Sequence, residues 1–141
     1  MGEIVSATTR FGRSGGKREQ FLSKAQILIE QAHTYRGEGD LLLALEMSYQ
    51  SALRAAGAII AGSAVASRKR KPKSAWDQLR LVGDEAAMWA EELSAFSTIR
   101  SRANSGLEIS LSPAELDNFM ARVSLFLEEA EFGFGFLRDA A

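Results

Sequence analysis

A chain of 141 residues, 46% apolar and 25% charged, has the length and composition of one folded domain with a real core. With no cysteine and a single histidine, His33, it excludes disulfides, thiol nucleophiles, thiolate metal sites and any multi-histidine metal centre. The net charge of −1 hides a polarity, +6 over residues 1–80 and −7 over 81–141, suited either to steering a polyanion to one end or to head-to-tail contact between copies.

Residues 1–16 are rich in Gly, Ser and Thr and close on "RSGGK", which predicts a flexible N-terminal segment ahead of a single domain over 17–141. "MGEIVSATTR" has no basic start followed by an apolar run, so it does not read as a secretory signal. The first helix is expected over 17–36. Phe21, Leu22, Ala25, Leu28, Ile29 and Ala32 recur at three- and four-residue spacing and form one apolar stripe, with His33 at its edge. A catalytic histidine needs a partner, and no nucleophile or acidic pair accompanies His33 by spacing, so it reads as a packed or half-exposed side chain.

"GEGD" ends this helix, and Asp40 caps the next, expected over 41–66. Its main stripe is Leu41, Leu45, Tyr49, Ala52, Leu53, Ala56, Ile59 and Ile60; Leu43, Met47, Ala58 and Val65 occupy another face. A helix so widely apolar is central or lies at an interface. Its small-residue end, "AAGAIIAGSAVAS", has 13 residues, and a membrane span needs about 20, so no membrane segment is expected. The absence of cysteine fits a reducing, cytoplasmic setting.

Then come five cations in six positions: Arg68, Lys69, Arg70, Lys71 and Lys73 around Pro72. Clustered Lys and Arg release counterions from a nucleic acid, which makes these residues RNA-binding candidates together with Arg102. A solvated link between helices is the competing reading. No aromatic residue is interleaved in the run, so base stacking is not supported.

The third helix is expected over 75–103, capped by Ser74, with Leu79, Val82, Ala86, Trp89, Ala90, Leu93 and Phe96 on one face. Arg100 lies seven positions beyond Leu93 and points to that buried side. It is a candidate catalytic arginine, against the reading that it pairs with a carboxylate or caps the helix end. The fourth helix, over 113–137, opens on "LSPAEL", with Ser112 as N-cap, Pro113 at the first helical position and Glu115 closing a capping box. Its core stripe is Leu116, Phe119, Met120, Val123, Leu127 and Ala130. Leu125, Phe132 and Phe136 project to nearly the opposite side, as candidates for a homodimer interface. The carboxylates Glu91, Glu92, Glu128, Glu129 and Glu131 read as solvated faces, so neither a metal nor a cofactor is expected. Short links between helices of similar length predict an all-α, up-and-down bundle of four to five helices.

The segments "SALRAAGAIIAG", "SAW" after the basic loop and an arginine near the end of the third helix resemble a bacterial HEPN domain over roughly 40–137. The chain looks most like the small stand-alone HEPN-like proteins of actinobacteria. The resemblance implies a four- or five-helix bundle that often dimerises. Many members are metal-independent ribonucleases carrying an arginine, four to six residues, then a histidine. Arg100 matches the arginine, but the histidine window holds Ser105, Gly106 and Leu107; counted from Arg102 it holds Leu107, Glu108 and Ile109. That departure removes the group expected to exchange a proton at the ribose. The implied class is a non-catalytic interaction and dimerisation module with an RNA association. The alternative is an RNA binder or a ribonuclease using Arg100 and the 68–73 loop.

Overall fold

The computed structural model describes the backbone of residues 2–134 and the side chains of 16–134. Six α-helices follow in order: α1 (Gly2–Gly37), α2 (Leu41–Ala61), α3 (Ala75–Arg80), α4 (Asp84–Ser94), α5 (Ser97–Asn104) and α6 (Pro113–Phe132). A short 3₁₀ turn, Ala64–Ser67, sits between α2 and α3. No strand occurs among the described residues. The first helix, expected to start at 17, runs back through 2–16 in its backbone; the side chains of 1–15, and Phe136 altogether, lie outside the described residues.

Side-chain ties give the direction of each leg. The Arg18 Nη2 donates to the carbonyls of Ala130 and Glu131 at 3.0 and 2.9 Å, so the start of the packed part of α1 meets the end of α6. Arg36, at the end of α1, pairs with Asp117 near the start of α6 at 2.7 Å. The Ser51 hydroxyl of α2 donates to the Ala25 carbonyl of α1 at 2.8 Å. Arg122 of α6 binds Glu92 of α4, and Trp89 of α4 binds Glu129, so α4 runs against α6. Four legs therefore alternate in direction, α1, α2, the broken leg α3–α5, and α6. This is the expected up-and-down bundle.

α2 is the central leg and touches α1, α3, α5 and α6. Its alanines explain how. Ala44, Ala52, Ala55, Ala56 and Ala58 are fully buried, as is Ala25 opposite them. Such small side chains let the α1 and α2 backbones approach until the buried Ser51 hydroxyl reaches a carbonyl on the other helix. The chain leaves α2 earlier than periodicity suggests. Gly62 ends the helix, and Ser63 starts the 3₁₀ turn by accepting from the Val65 N–H.

The expected third helix is three helices. Leu81 and Val82 donate to carbonyls three residues back, which tightens and ends α3. Gly83, the weakest helix former in the run, carries the turn, and Asp84 and Glu85 open α4. A second tight turn at Phe96 separates α5. One straight helix over 75–104 would extend about 45 Å, against about 30 Å for α6. Breaking it keeps Leu79, Ala86, Trp89, Ala90 and Leu93 all buried on a core of α6 length.

α6 begins as expected. The Ser112 hydroxyl accepts from the Glu115 N–H at 3.1 Å, and the Glu115 carboxylate accepts from the Ser112 N–H at 3.2 Å. It stops at Gly133, whose φ of 101° belongs to glycine and whose N–H returns to the Glu129 carbonyl at 2.7 Å. The six expected core residues are buried, and so is Phe126, which the stripe omitted.

Trp76 fixes where the basic loop rejoins the bundle. Its indole N–H donates to the Tyr49 hydroxyl at 2.8 Å, and the rings meet edge to face at 6.0 Å. Tyr49→Phe keeps the ring but strands a buried indole donor. The expected cost is about 1–2 kcal/mol, read as a shift in urea midpoint without a change in slope.

Candidate functional site

Arg100 is held by α5 on its inner side. Its Nε and Nη2 donate to the two oxygens of Glu46 on α2, at 2.7 and 2.9 Å. The guanidinium also lies over the Tyr49 ring, 5.1 Å from its centre. Gln50, one turn along α2, donates to Glu46 at 3.1 Å. The Arg100 hydrogen bonds hold the Glu46 carboxyl below the usual carboxylate range against the opposing pull of burial, and Glu46 raises the Arg100 guanidinium above its usual value. Of the two roles the sequence offered Arg100, the pairing one is what the geometry displays: a bidentate tie between α5 and α2.

Arg102, two residues on, turns outward and donates to the Glu108 carbonyl at 3.1 Å, bracing the loop after α5. Ser105, Gly106, Leu107 and Glu108 in that loop are exposed, and Ile109 is half-buried. His33 is exposed on α1, where its charge helps the Arg36 guanidinium hold the Asp117 carboxyl low.

The loop cations divide. Arg68, Lys69 and Arg70 face solvent. Lys71 and Lys73 are also exposed, but they line a cavity of about 200 Å³ that Lys17 and Phe21 reach from α1 and Gly57 reaches from α2. None of these six cations forms an ion pair with another described residue. Lys71 and Lys73 lie beside Gly57 and Ala61, eleven to fifteen positions along α2 from Glu46. That is about 16–22 Å of helix rise, so the fold does not bring the loop cations to Arg100.

A second concavity, about 570 Å³, lies between α4 and α6 and is lined by Glu85, Met88, Trp89, Glu91, Glu92, Arg122 and Glu129. Most of its polar groups bind one another. Arg122 grips Glu92 at 2.7 and 2.9 Å and lies 4.5 Å over the centre of the Trp89 ring. The Trp89 indole donates to Glu129 at 2.6 Å, and Glu91 pairs with Arg80. Glu92 raises the Arg122 guanidinium above its usual value. Of the five carboxylates expected on solvated faces, Glu91, Glu92, Glu128 and Glu131 are exposed and Glu129 is half-buried; Glu92 and Glu129 also tie α4 to α6. Among the described residues, no group of three or more metal-capable side chains assembles here or elsewhere.

Of the expected interface residues, Phe132 is 56% exposed, whereas Leu125 is half-buried and packs against the core. α6 packs against α1, α2 and α4, and Leu125 is among the half-buried residues set against the core. Lys17, Phe21 and Glu46 were missed as site residues, since each partner lies tens of positions away and no local pattern marks it. No described helix is long and apolar enough to cross a membrane.

A family model described as SAV_6107-like HEPN matches residues 41–131, from the start of α2 to the last turn of α6. No curated protein and no solved structure matches the chain.

Proposed function

The chain belongs to the SAV_6107-like HEPN family, and from that premise we propose that it is a non-catalytic helical interaction module that pairs with a second copy. The observation that carries the first half is the state of Arg100. The edge of its guanidinium that carries Nε and Nη2 is bound bidentate to Glu46, and the chain's lone histidine, His33, stands on another leg of the bundle. An arginine so engaged supports structure rather than charge development on a substrate. The pairing half is supported by the exposed Phe132 at the end of α6 and by the charge polarity along the chain. The competing reading is an RNA-directed protein acting through Arg102 and the unpaired cations of 68–73.

One set of measurements separates them. Mass in solution over a hundredfold concentration range is expected to pass from one copy to two, and Phe132→Asp is expected to hold the single-copy state. RNA incubated with the protein is expected to stay intact. Cleavage lost in Arg100→Ala would sink the non-catalytic reading, and a strict monomer at every concentration would sink pairing. Strongly salt-dependent RNA affinity would favour the competing reading.

A further inference from the structure

The concavity between α4 and α6 carries more negative charge than the chain itself neutralises there. Four carboxylates line it, Glu85, Glu91, Glu92 and Glu129, against one guanidinium, Arg122. Arg80, which binds Glu91 from beyond the lining, still leaves two negative charges in excess. Glu91 stays 81% exposed with that bond made. Carboxylates gathered this way repel one another, and a cation brought from outside relieves them. The apolar part of the wall is accessible too, since Met88 is 72% exposed, the most of any large apolar side chain described. At about 570 Å³ the space falls within the roughly 300–1,000 Å³ of pockets that enclose a drug-sized ligand, ample for two long cationic side chains.

The complementary surface is carried by the same chain. Arg68, Lys69 and Arg70 face solvent and pair with no described carboxylate, and residues 62–76 contain no acidic residue. The backbone they leave from is held in shape. The Arg68 N–H returns to the Val65 carbonyl at 3.1 Å, and Lys71 Nζ donates to the Ala66 carbonyl at 2.8 Å. An ordered loop has less freedom to lose on docking. Long cationic side chains suit a wall of this composition, because their stems can lie on an adaptable methionine while their heads meet the carboxylates.

Resting on the pairing of copies argued above, we propose that two copies join by setting Arg68, Lys69 and Arg70 of each into the α4–α6 concavity of the other, with the cationic heads on Glu91 and its neighbours and the stems along Met88. Each copy gives one loop and one concavity, so reciprocal contact closes at two copies and leaves neither surface open. The positive first half of each chain then faces the negative second half of its partner. Glu129 lines both this concavity and the hollow that Phe132 borders, so the apolar end of α6 is continuous with the same surface.

The test is sedimentation of the full chain with two charge-reversed variants. One reverses the loop, Arg68→Glu with Lys69→Glu and Arg70→Glu; the other reverses the concavity, Met88→Lys with Glu91→Lys. Each alone is expected to weaken self-pairing on the order of a hundredfold. Mixed together they are expected to pair again, because the reversed loop meets the reversed concavity and the two unaltered surfaces meet each other. Lys24→Glu, at an exposed cation of α1 that pairs with no described carboxylate, is expected to change pairing less than about twofold. All the substituted side chains are exposed, so unchanged melting temperatures will show that the variants fold. Wild-type pairs are expected to loosen about tenfold or more between roughly 50 and 500 mM salt. Pairs indifferent to salt and to both variants overturn this contact and leave pairing to Phe132; a strictly monomeric wild type overturns pairing and contact together. Variants that stay apart when mixed overturn the contact, and so does a loss in Lys24→Glu equal to that of the reversed loop, because net charge alone would then be responsible. Pairing kept in the reversed loop while its RNA affinity falls also overturns the contact and assigns those cations to nucleic acid.

Discussion

Phe126→Ala is expected to cost about 3–5 kcal/mol, the largest loss of any single truncation argued for this chain. Phe126 is fully buried in the third quarter of α6, and its ring meets Trp89 at 5.2 Å with the planes tilted by 42°. Truncation removes the transfer energy of a phenyl group and leaves a void. The walls are helices cross-tied by Arg122–Glu92 and Trp89–Glu129, so they close on it only in part. Set against a total of about 5–15 kcal/mol for a domain, the loss is about a fifth of all stability or more. It should appear as a fall of roughly 10–20 °C in melting temperature. Ile27→Ala is the control, because a truncation at a residue 52% exposed should change stability by no more than about 0.5 kcal/mol. Equal losses at the two positions would mean that Phe126 is not a core position.

That contrast also shows what the sequence makes legible. Phe126 lies three positions after Val123 and four before Ala130, so the helical repeat also places it on the core side. The start of α6 was legible for a different reason. Ser112, Pro113 and Glu115 satisfy one another within four residues, and no distant partner can override them. The break in the third leg was not legible. The apolar repeat runs on through Val82 to Ala86 and Trp89, because the turn at Leu81–Gly83 leaves the buried face in register. Only the length of the neighbouring legs demands the break. Arg100 was legible in direction, through its spacing from Leu93. Its partner Glu46 was not, being 54 positions away. The same limit hid Lys17 and Phe21 from the basic loop. Local pattern reports which side of a helix faces in; it is silent on which two sides meet.

Arg100→Ala is expected to cost about 2 kcal/mol, between the 0–1 kcal/mol of exposed ion pairs and the 3–5 kcal/mol of breaking buried ones. The intermediate value follows from burial: the Glu46 side chain is 18% exposed and that of Arg100 is 31%. Removing the guanidinium leaves a partly buried carboxylate with weaker amide partners. The pH dependence identifies the cause. The Arg100 hydrogen bonds lower the folded-state value of Glu46, so as pH falls the unfolded chain takes up its proton first. The stabilisation is therefore complete above the ordinary carboxylate value of about 4.3 and is lost as pH drops through the lower folded value. Asp117 is shifted in the same direction by Arg36, so the wild-type curve alone mixes two groups. The difference between wild type and Arg100→Ala isolates one. It should be flat from about pH 7 to 5 and shrink towards zero below about pH 4. Arg100→Lys keeps the charge but cannot present two parallel donors, and should recover less than half of the loss. A difference curve that stays flat into acid would place the contribution of Arg100 in its stacking on Tyr49 instead of its pair with Glu46. Either shape, with RNA left intact throughout, makes Arg100 a tie between legs of the bundle; a variant that stays as stable as wild type but loses cleavage would make it the catalytic group.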